Sequence, residues 1–165
     1  MAETKLLGVA SIQIGAIASD GDVSAAFATA GGVYKDTAEI TQAQDADTEH
    51  VCEESDDPFV IVPGIKKTTI KWAITDATPE ALVAVLGGTA TGTAPNDSWT
   101  CPATTDIIEK SVKITPKSGK VITIPRAYLK ATIDYKLQRA GIFKVNIECR
   151  VLTPTKTGVA AIKLG

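Results

Sequence analysis

Two long stretches of alternating polarity, joined by a short glycine-bearing break, constrain this sequence more than any other feature. Ala127, Leu129, Ala131, Ile133, Tyr135 and Leu137 fall on one face of an extended chain, and Arg126, Tyr128, Lys130, Thr132, Asp134 and Lys136 on the other. After Arg139–Ala140–Gly141, the residues Phe143, Val145, Ile147, Cys149 and Val151 alternate with Lys144, Asn146, Glu148 and Arg150. A repeat of two is the side-chain period of a strand, and two such runs around a turn form a β-hairpin. Each strand buries one face and wets the other, so the chain needs a sheet with a core on one side.

Further extended segments follow from the same pattern. Ile70, Trp72 and Ile74 share a side of Thr68–Thr75, which places Trp72 in the core. Ile107–Thr115 and Val121–Ile124 flank the turn signature Pro116–Lys117–Ser118–Gly119. Val33–Gln42 and Phe59–Val62 read as strands, Leu6–Ile17 as extended chain, and Val159–Leu164 as a short terminal strand. One helix is expected over about 78–86. Thr78 suits its N-cap, Pro79 its first position, Glu80 its dipole and Gly87 its C-cap, with Leu82, Val85 and Leu86 toward a sheet. Residues 41–57 and 88–105 are polar and poor in apolar anchors, and read as long mobile loops. The fold class is mainly β, a sandwich or barrel with one flanking helix, in a single domain over 1–165.

Charge is segregated along the chain. Residues 1–109 carry 17 acids and five bases, a balance of −12; residues 110–165 carry 12 bases and two acids, a balance of +10. Halves so opposed attract within a subunit or between copies, which favours self-assembly over catalysis. The basic residues alternate with apolar ones and form no run, unlike a dedicated nucleic-acid surface. Cys52, Cys101 and Cys149 are odd in number and lack CxxC spacing, so free thiols in a reducing compartment are expected. The first 21 residues lack a signal peptide's layout and no run is long enough to span a bilayer, so folding in the cytoplasm is expected.

Motifs for chemistry are missing. His50, the only histidine, lies among Asp45, Asp47, Glu49, Glu53, Glu54, Asp56 and Asp57, but the spacing matches no calcium loop. A solvated acidic face or an interface is the better reading. No GxSxG, Walker A, GxGxxG or HExxH string occurs, and Gly87–Gly88–Thr89 follows a helix where a phosphate cradle opens one. No catalytic residue, cofactor or metal is expected. Trp99 packs either under its own loop or against a neighbouring copy.

The acidic half also carries a resemblance. Val33-Tyr-Lys-Asp-Thr-Ala-Glu-Ile40, Thr48-Glu-His-Val-Cys-Glu-Glu54 and Asp57-Pro-Phe59 resemble the tail tube (major tail) proteins of long-tailed bacteriophages, most of all those of Bacteroidetes-type phages and prophages. Thr69-Ile-Lys-Trp-Ala-Ile74, the helix start Asp76-Ala-Thr-Pro-Glu80 and Leu86-Gly-Gly-Thr89 extend the similarity in order along most of the chain.

The resemblance implies a β-sandwich or barrel with a flanking helix, six copies closing a ring, and rings stacking into a hollow virion tail tube assembled in the host cytoplasm. DNA would pass through without specific binding, with no membrane involved. Tape-measure, tail-terminator and baseplate proteins would be the other partners. The N-terminal segment and residues 41–57 and 88–105 would serve assembly. The family has no catalytic residues to carry over. An acidic lumen repels phosphate and lets the duplex slide. Asp36, Glu39, Asp45, Asp47, Glu49, Glu53 and Glu54 are therefore expected at the lumen or at an inter-subunit seam. Lys130, Lys136, Lys144 and Arg150 are the basic counter-face. A tube protein of a contractile tail or injection system is one alternative. A β-sandwich binding or adhesion module with an aromatic platform is another.

Overall fold

Period-two alternation and a tight turn produce the longest feature of the fold. In the computed structural model, which describes residues 4–76 and 78–165, Ile122–Tyr135 and Phe143–Val151 pair antiparallel from Ala127↔Val151 to Tyr135↔Phe143. Residues 1–3 of the N-terminal segment, and Ala77 of the helix-start motif, lie outside the described residues.

In chain order the strands are β1 (Ser11–Gly15), β2 (Ala28–Thr29), β3 (Glu39–Gln44), β4 (Thr48–Cys52), β5 (Ser55–Val62) and β6 (Lys66–Ile74). Helix α1 (Pro79–Leu86) is followed by β7 (Thr89–Thr91), β8 (Ser98–Thr100), β9 (Ile108–Thr115), β10 (Ile122–Tyr135), β11 (Phe143–Val151) and β12 (Lys163–Leu164). Eight strands form one sheet in the order β2-β1-β9-β10-β11-β6-β3, with β12 pairing the start of β10. The pairs β4–β5 and β7–β8 are separate hairpins. Among the described residues the protein is thus mainly β with one helix. Strands of the acidic half, β1 and β6, flank strands of the basic half, so the charge asymmetry of the chain is interleaved in space.

The sheet curls around its own core. Ile12 of β1 and Ile70 of β6, separated by three intervening strands in the sheet order, line the same groove together with Ile40 of β3 and Ile122 of β10. Ile14, Val112, Ile124, Leu129, Val145, Ile147, Cys149, Ile74 and Trp72 fill one hydrophobic cluster, which Leu82 and Val85 of α1 join. Trp72 is therefore a core residue, as its place on the alternating face predicts. A β-bulge falls between Ile124 and Ala127. Pro125 there has no N–H for the ladder, and its carbonyl accepts the hydroxyl of buried Ser111 at 2.6 Å.

Several local expectations are revised. The strand expected over Val33–Gln42 is interrupted by Asp36, whose φ of 60° is left-handed. Val33 makes only an isolated bridge to Ile74, the Ala73 N–H donates to the Thr37 hydroxyl, and β3 begins at Glu39. Thr78 stands at the N-cap of α1, but its side chain makes no capping hydrogen bond; its N–H donates to Asp76 Oδ1 at 2.9 Å. Gly87 ends the helix at a φ of 76°, as expected, with its N–H on Val83 O. Neither long polar segment is a structureless loop. Residues 88–105 contain the β7–β8 hairpin, and 41–57 hold the end of β3, all of β4 and the start of β5.

Candidate assembly surfaces

Two hairpins reach past the core, and they do so at opposite ends of β6. The β4–β5 hairpin joins the end of β3 to the start of β6, where Gln44 pairs with Lys66. At the other end of β6, Ile74 pairs with Val145, beyond which β10 and β11 continue to their turn. At about 3.3 Å per residue, β6 separates the two by about 30 Å.

The β4–β5 hairpin is exposed on both faces. Opposed residues share a face, so His50 lies beside Val60 and Glu49 beside Ile61 on the reverse. Every residue of both strands is exposed, including Val51, Phe59, Val60, Ile61 and Val62, and Phe59 is 65% exposed. The strand expected over the apolar run Phe59–Val62 is present as the end of β5, and it is solvent-exposed because no other layer of the subunit covers it. The root of the hairpin is well tied: Gly64 N–H donates to Asp47 Oδ1 at 2.9 Å, Asp45 N–H to the Ile65 carbonyl at 3.0 Å, and Lys67 Nζ lies 2.8 Å from Asp45 Oδ2. A two-stranded ribbon with apolar groups on both sides is marginal in water and calls for cover on each.

The β10–β11 tip differs in charge. The face carrying Ala127, Leu129 and Ala131 is buried at its start, but Ile133, Tyr135 and Leu137 are exposed, Leu137 at 86%. The strand outruns the core it covers. Ile142 is exposed nearby, and Tyr135 and Phe143 meet edge to face at 5.7 Å. Lys136, Arg139 and Lys144 surround this tip, with Asp134 3.8 Å from Lys144. The Lys144 ammonium also sits over the Tyr34 ring at 5.2 Å.

The acidic residues separate into four settings. Asp36 sits in its left-handed turn beside Lys35. Glu39 begins a cross-strand row on the outer face of the sheet: Glu39 pairs in register with Lys71, Lys71 with Glu148, and Glu148 with Lys130. This row of alternating sign is a sheet-stabilising arrangement within the subunit. Asp45 and Asp47 hold the hairpin root. Among the described residues, Glu49, Glu53, Glu54, Asp56 and Asp57 carry no ion pair, and neither do Lys130, Lys136, Arg139 and Arg150. Arg150 stands opposite Tyr128 in the β10–β11 ladder. The structure thus gathers Glu49, Glu53 and Glu54 with Asp56 and Asp57 on one hairpin, and leaves Asp36 and Glu39 elsewhere.

Sequence reasoning missed the apolar half of these surfaces. Ile65, Leu137 and Ile142 were not distinguishable from core residues by type, and Arg139 fell in the turn. Within the subunit, Trp99 is half-buried under its own hairpin and its indole N–H donates to the Gly87 carbonyl at 2.8 Å.

No protein-family model matches the chain, and no curated protein matches it. Among solved structures, a chain from the tail of an empty GTA particle, computed with helical refinement in C6 symmetry, aligns with a TM-score of 0.45. The alignment is 15% identical and covers 99% of each chain.

Proposed function

We propose that this protein is a structural subunit of a phage-type tail tube, in which six copies close a ring and rings stack into a hollow conduit for DNA. The observation that carries the reading is the β4–β5 hairpin, exposed on both faces and apolar on both. A subunit that leaves such an arm bare is completed by other copies of itself, because burial of both faces needs partners on both sides. The open edges of the sheet at β2 and β3 add backbone donors and acceptors of the kind that neighbouring copies can pair.

In this reading the protein has no catalytic role. Part of the acidic set, Glu49, Glu53, Glu54, Asp56 and Asp57, faces a seam between copies or the lumen. There it repels phosphate and gives passing DNA no binding site. Tape-measure, tail-terminator and baseplate proteins are the other expected partners, in a virion tail built inside the host cell. The assignment to Bacteroidetes-type phages rests on the sequence resemblance. A binding module with an aromatic platform is disfavoured, because Trp72 is buried and the Trp99 indole is committed to Gly87.

Negative-stain microscopy of the concentrated protein tests the reading. Hollow rings or tubes are expected. Solitary particles at every concentration and salt condition overturn it.

A further inference from the structure

The two protruding hairpins leave the sheet at opposite ends of β6, and their chemistry is complementary. Residues 45–62 carry seven acids and no lysine or arginine. The opposite tip presents Lys136, Arg139 and Lys144 against one acid, Asp134, while Lys130, further along β10, stands opposite Glu148. Both expose apolar side chains between their charges: Val51, Phe59 and Ile61 on one, Ile133, Leu137 and Ile142 on the other.

We propose that the β4–β5 hairpin of one copy docks along the β10–β11 tip of the next copy, head to tail. The proposal rests on the self-assembly reading above and names the surface that covers the arm. A subunit does not satisfy its own hairpin this way, because the length of β6 lies between the two. A contact between unlike patches leaves one of each free at the ends of the assembly. Such contacts therefore close into a ring or continue as a stack and do not stop at a dimer. Charge selects the partner and fixes polarity, while the apolar residues supply the burial. An arm docked at the opposite end of a neighbour joins copies end to end. The competing geometry is sideways docking on the basic turn that contains Lys117 and Lys120. That turn lies at the same end of the sheet as the arm, since Ile114 pairs with Ile122 and Ser11 with Thr115 around it.

Cys52, exposed near the arm's turn, is a built-in probe, and Cys149 is buried. In the full chain, Cys101→Ser leaves Cys52 as the exposed thiol. Adding Leu137→Cys or Gln138→Cys places a second thiol on the β10–β11 tip, and Lys117→Cys is the sideways control. Mild oxidation of the assembled protein is expected to give a ladder of covalent multimers from the tip variants. The control is expected to give none beyond the Cys52 dimer. Separately, K136E/R139E is expected to lower sedimentable assembly at least tenfold, and mixing with E53K/E54K to restore co-assembly.

A covalent ladder from the Lys117→Cys variant, with none from the tip variants, overturns the docking, as does K136E/R139E assembling like the parent. Either result leaves the tube reading standing. A parent protein that stays solitary under all conditions overturns both.

Discussion

The indole N–H of Trp99 donates to the carbonyl of Gly87 at 2.8 Å, and this bond ties the β7–β8 hairpin to the C-terminal end of the helix. Gly87 is the residue where α1 stops, at a φ of 76°. A helix end has carbonyls without intrahelical donors, and here an aromatic side chain from the next hairpin supplies one. Trp99→Phe keeps most of the apolar contact and removes the donor. It is expected to cost about 1 kcal/mol, read as a lower urea midpoint with an unchanged slope. A midpoint equal to that of the parent would show that water replaces the indole at no cost.

Core substitutions should cost more. Ile147 of β11 is 2% exposed and packs in the single hydrophobic cluster between β10 and β6. Ile147→Ala is expected to lose about 3 kcal/mol of unfolding free energy, from lost transfer and the cavity left behind. Chemical denaturation of the isolated subunit measures it. A loss under about 1 kcal/mol would mean that the curled sheet closes over the vacancy.

Periodicity in the sequence reports which side a residue is on, but not how far the core extends. Val145, Ile147 and Cys149 were legible as core residues because alternation and burial coincide there. Ile133, Tyr135 and Leu137 obey the same alternation and are exposed, because β10 runs past the layer that could cover it. Asp36 ended the expected strand through a backbone angle that the neighbouring residue types do not announce. Three-residue strands such as Thr89–Thr91 carry too little pattern to stand out from a polar loop. For the candidate surfaces, the charges were visible in the sequence and the pairings were not. The row Glu39–Lys71–Glu148–Lys130 depends on the register of four strands, two of which lie far apart in the chain from the other two. The bare apolar run Phe59–Val62 was the least legible, since a buried strand and an arm awaiting a partner have the same composition.

The three thiols should differ sharply in reactivity. Cys52 and Cys101 are exposed, whereas Cys149 is fully buried between β10 and β6. Burial penalises the thiolate and, with Glu148 adjacent in the chain, pushes the Cys149 thiol far above its ordinary range. An aromatic disulfide reagent at neutral pH is expected to label two thiols on the native subunit and the third only on unfolding. Rapid labelling of all three would show that β11 opens locally.

A clasp outside the sheet gives stability a defined pH dependence. Lys156 Nζ lies 2.7 Å from Asp20 Oδ2 and 2.7 Å from Asp22 Oδ2, and so joins the C-terminal segment to the loop after β1. Hydrogen bonds from this ammonium hold both carboxyls below the usual carboxylate range, and the two carboxylates raise Lys156 in turn. For the acids, folding stability is present above their unfolded pKa of about 3.9 and fades as the pH falls through the lower folded values. For the lysine, it is present below the unfolded pKa of about 10.4 and is lost as the pH rises through the higher folded value. The clasp therefore works across the whole neutral range. Lys156→Met is expected to lower the thermal midpoint evenly between those limits, with the difference from the parent closing in strong acid and strong alkali. A difference that varies steeply near neutrality would point to another titrating group. Because Asp20 is exposed and Asp22 and Lys156 are only half-buried, high salt should shrink the effect.

The arm should be separable from folding. Phe59 and Ile61 lie on β5, exposed on a hairpin that no other layer of the subunit covers. Replacing Phe59 with Ser removes apolar surface that the lone subunit never buries, so its unfolding free energy should move by no more than about 0.5 kcal/mol. In the proposed assembly the same ring is buried against a neighbour, and central aromatics of this kind carry a large share of interface energy. Phe59→Ser is therefore expected to yield a folded protein, with parental circular dichroism and denaturation, that fails to form rings or tubes at concentrations where the parent assembles. Sedimentation and microscopy of the same sample read both properties. A variant that is unstable alone would place Phe59 in the core of its own subunit. One that assembles normally would remove the arm from the interface, and with it the main support for the tube.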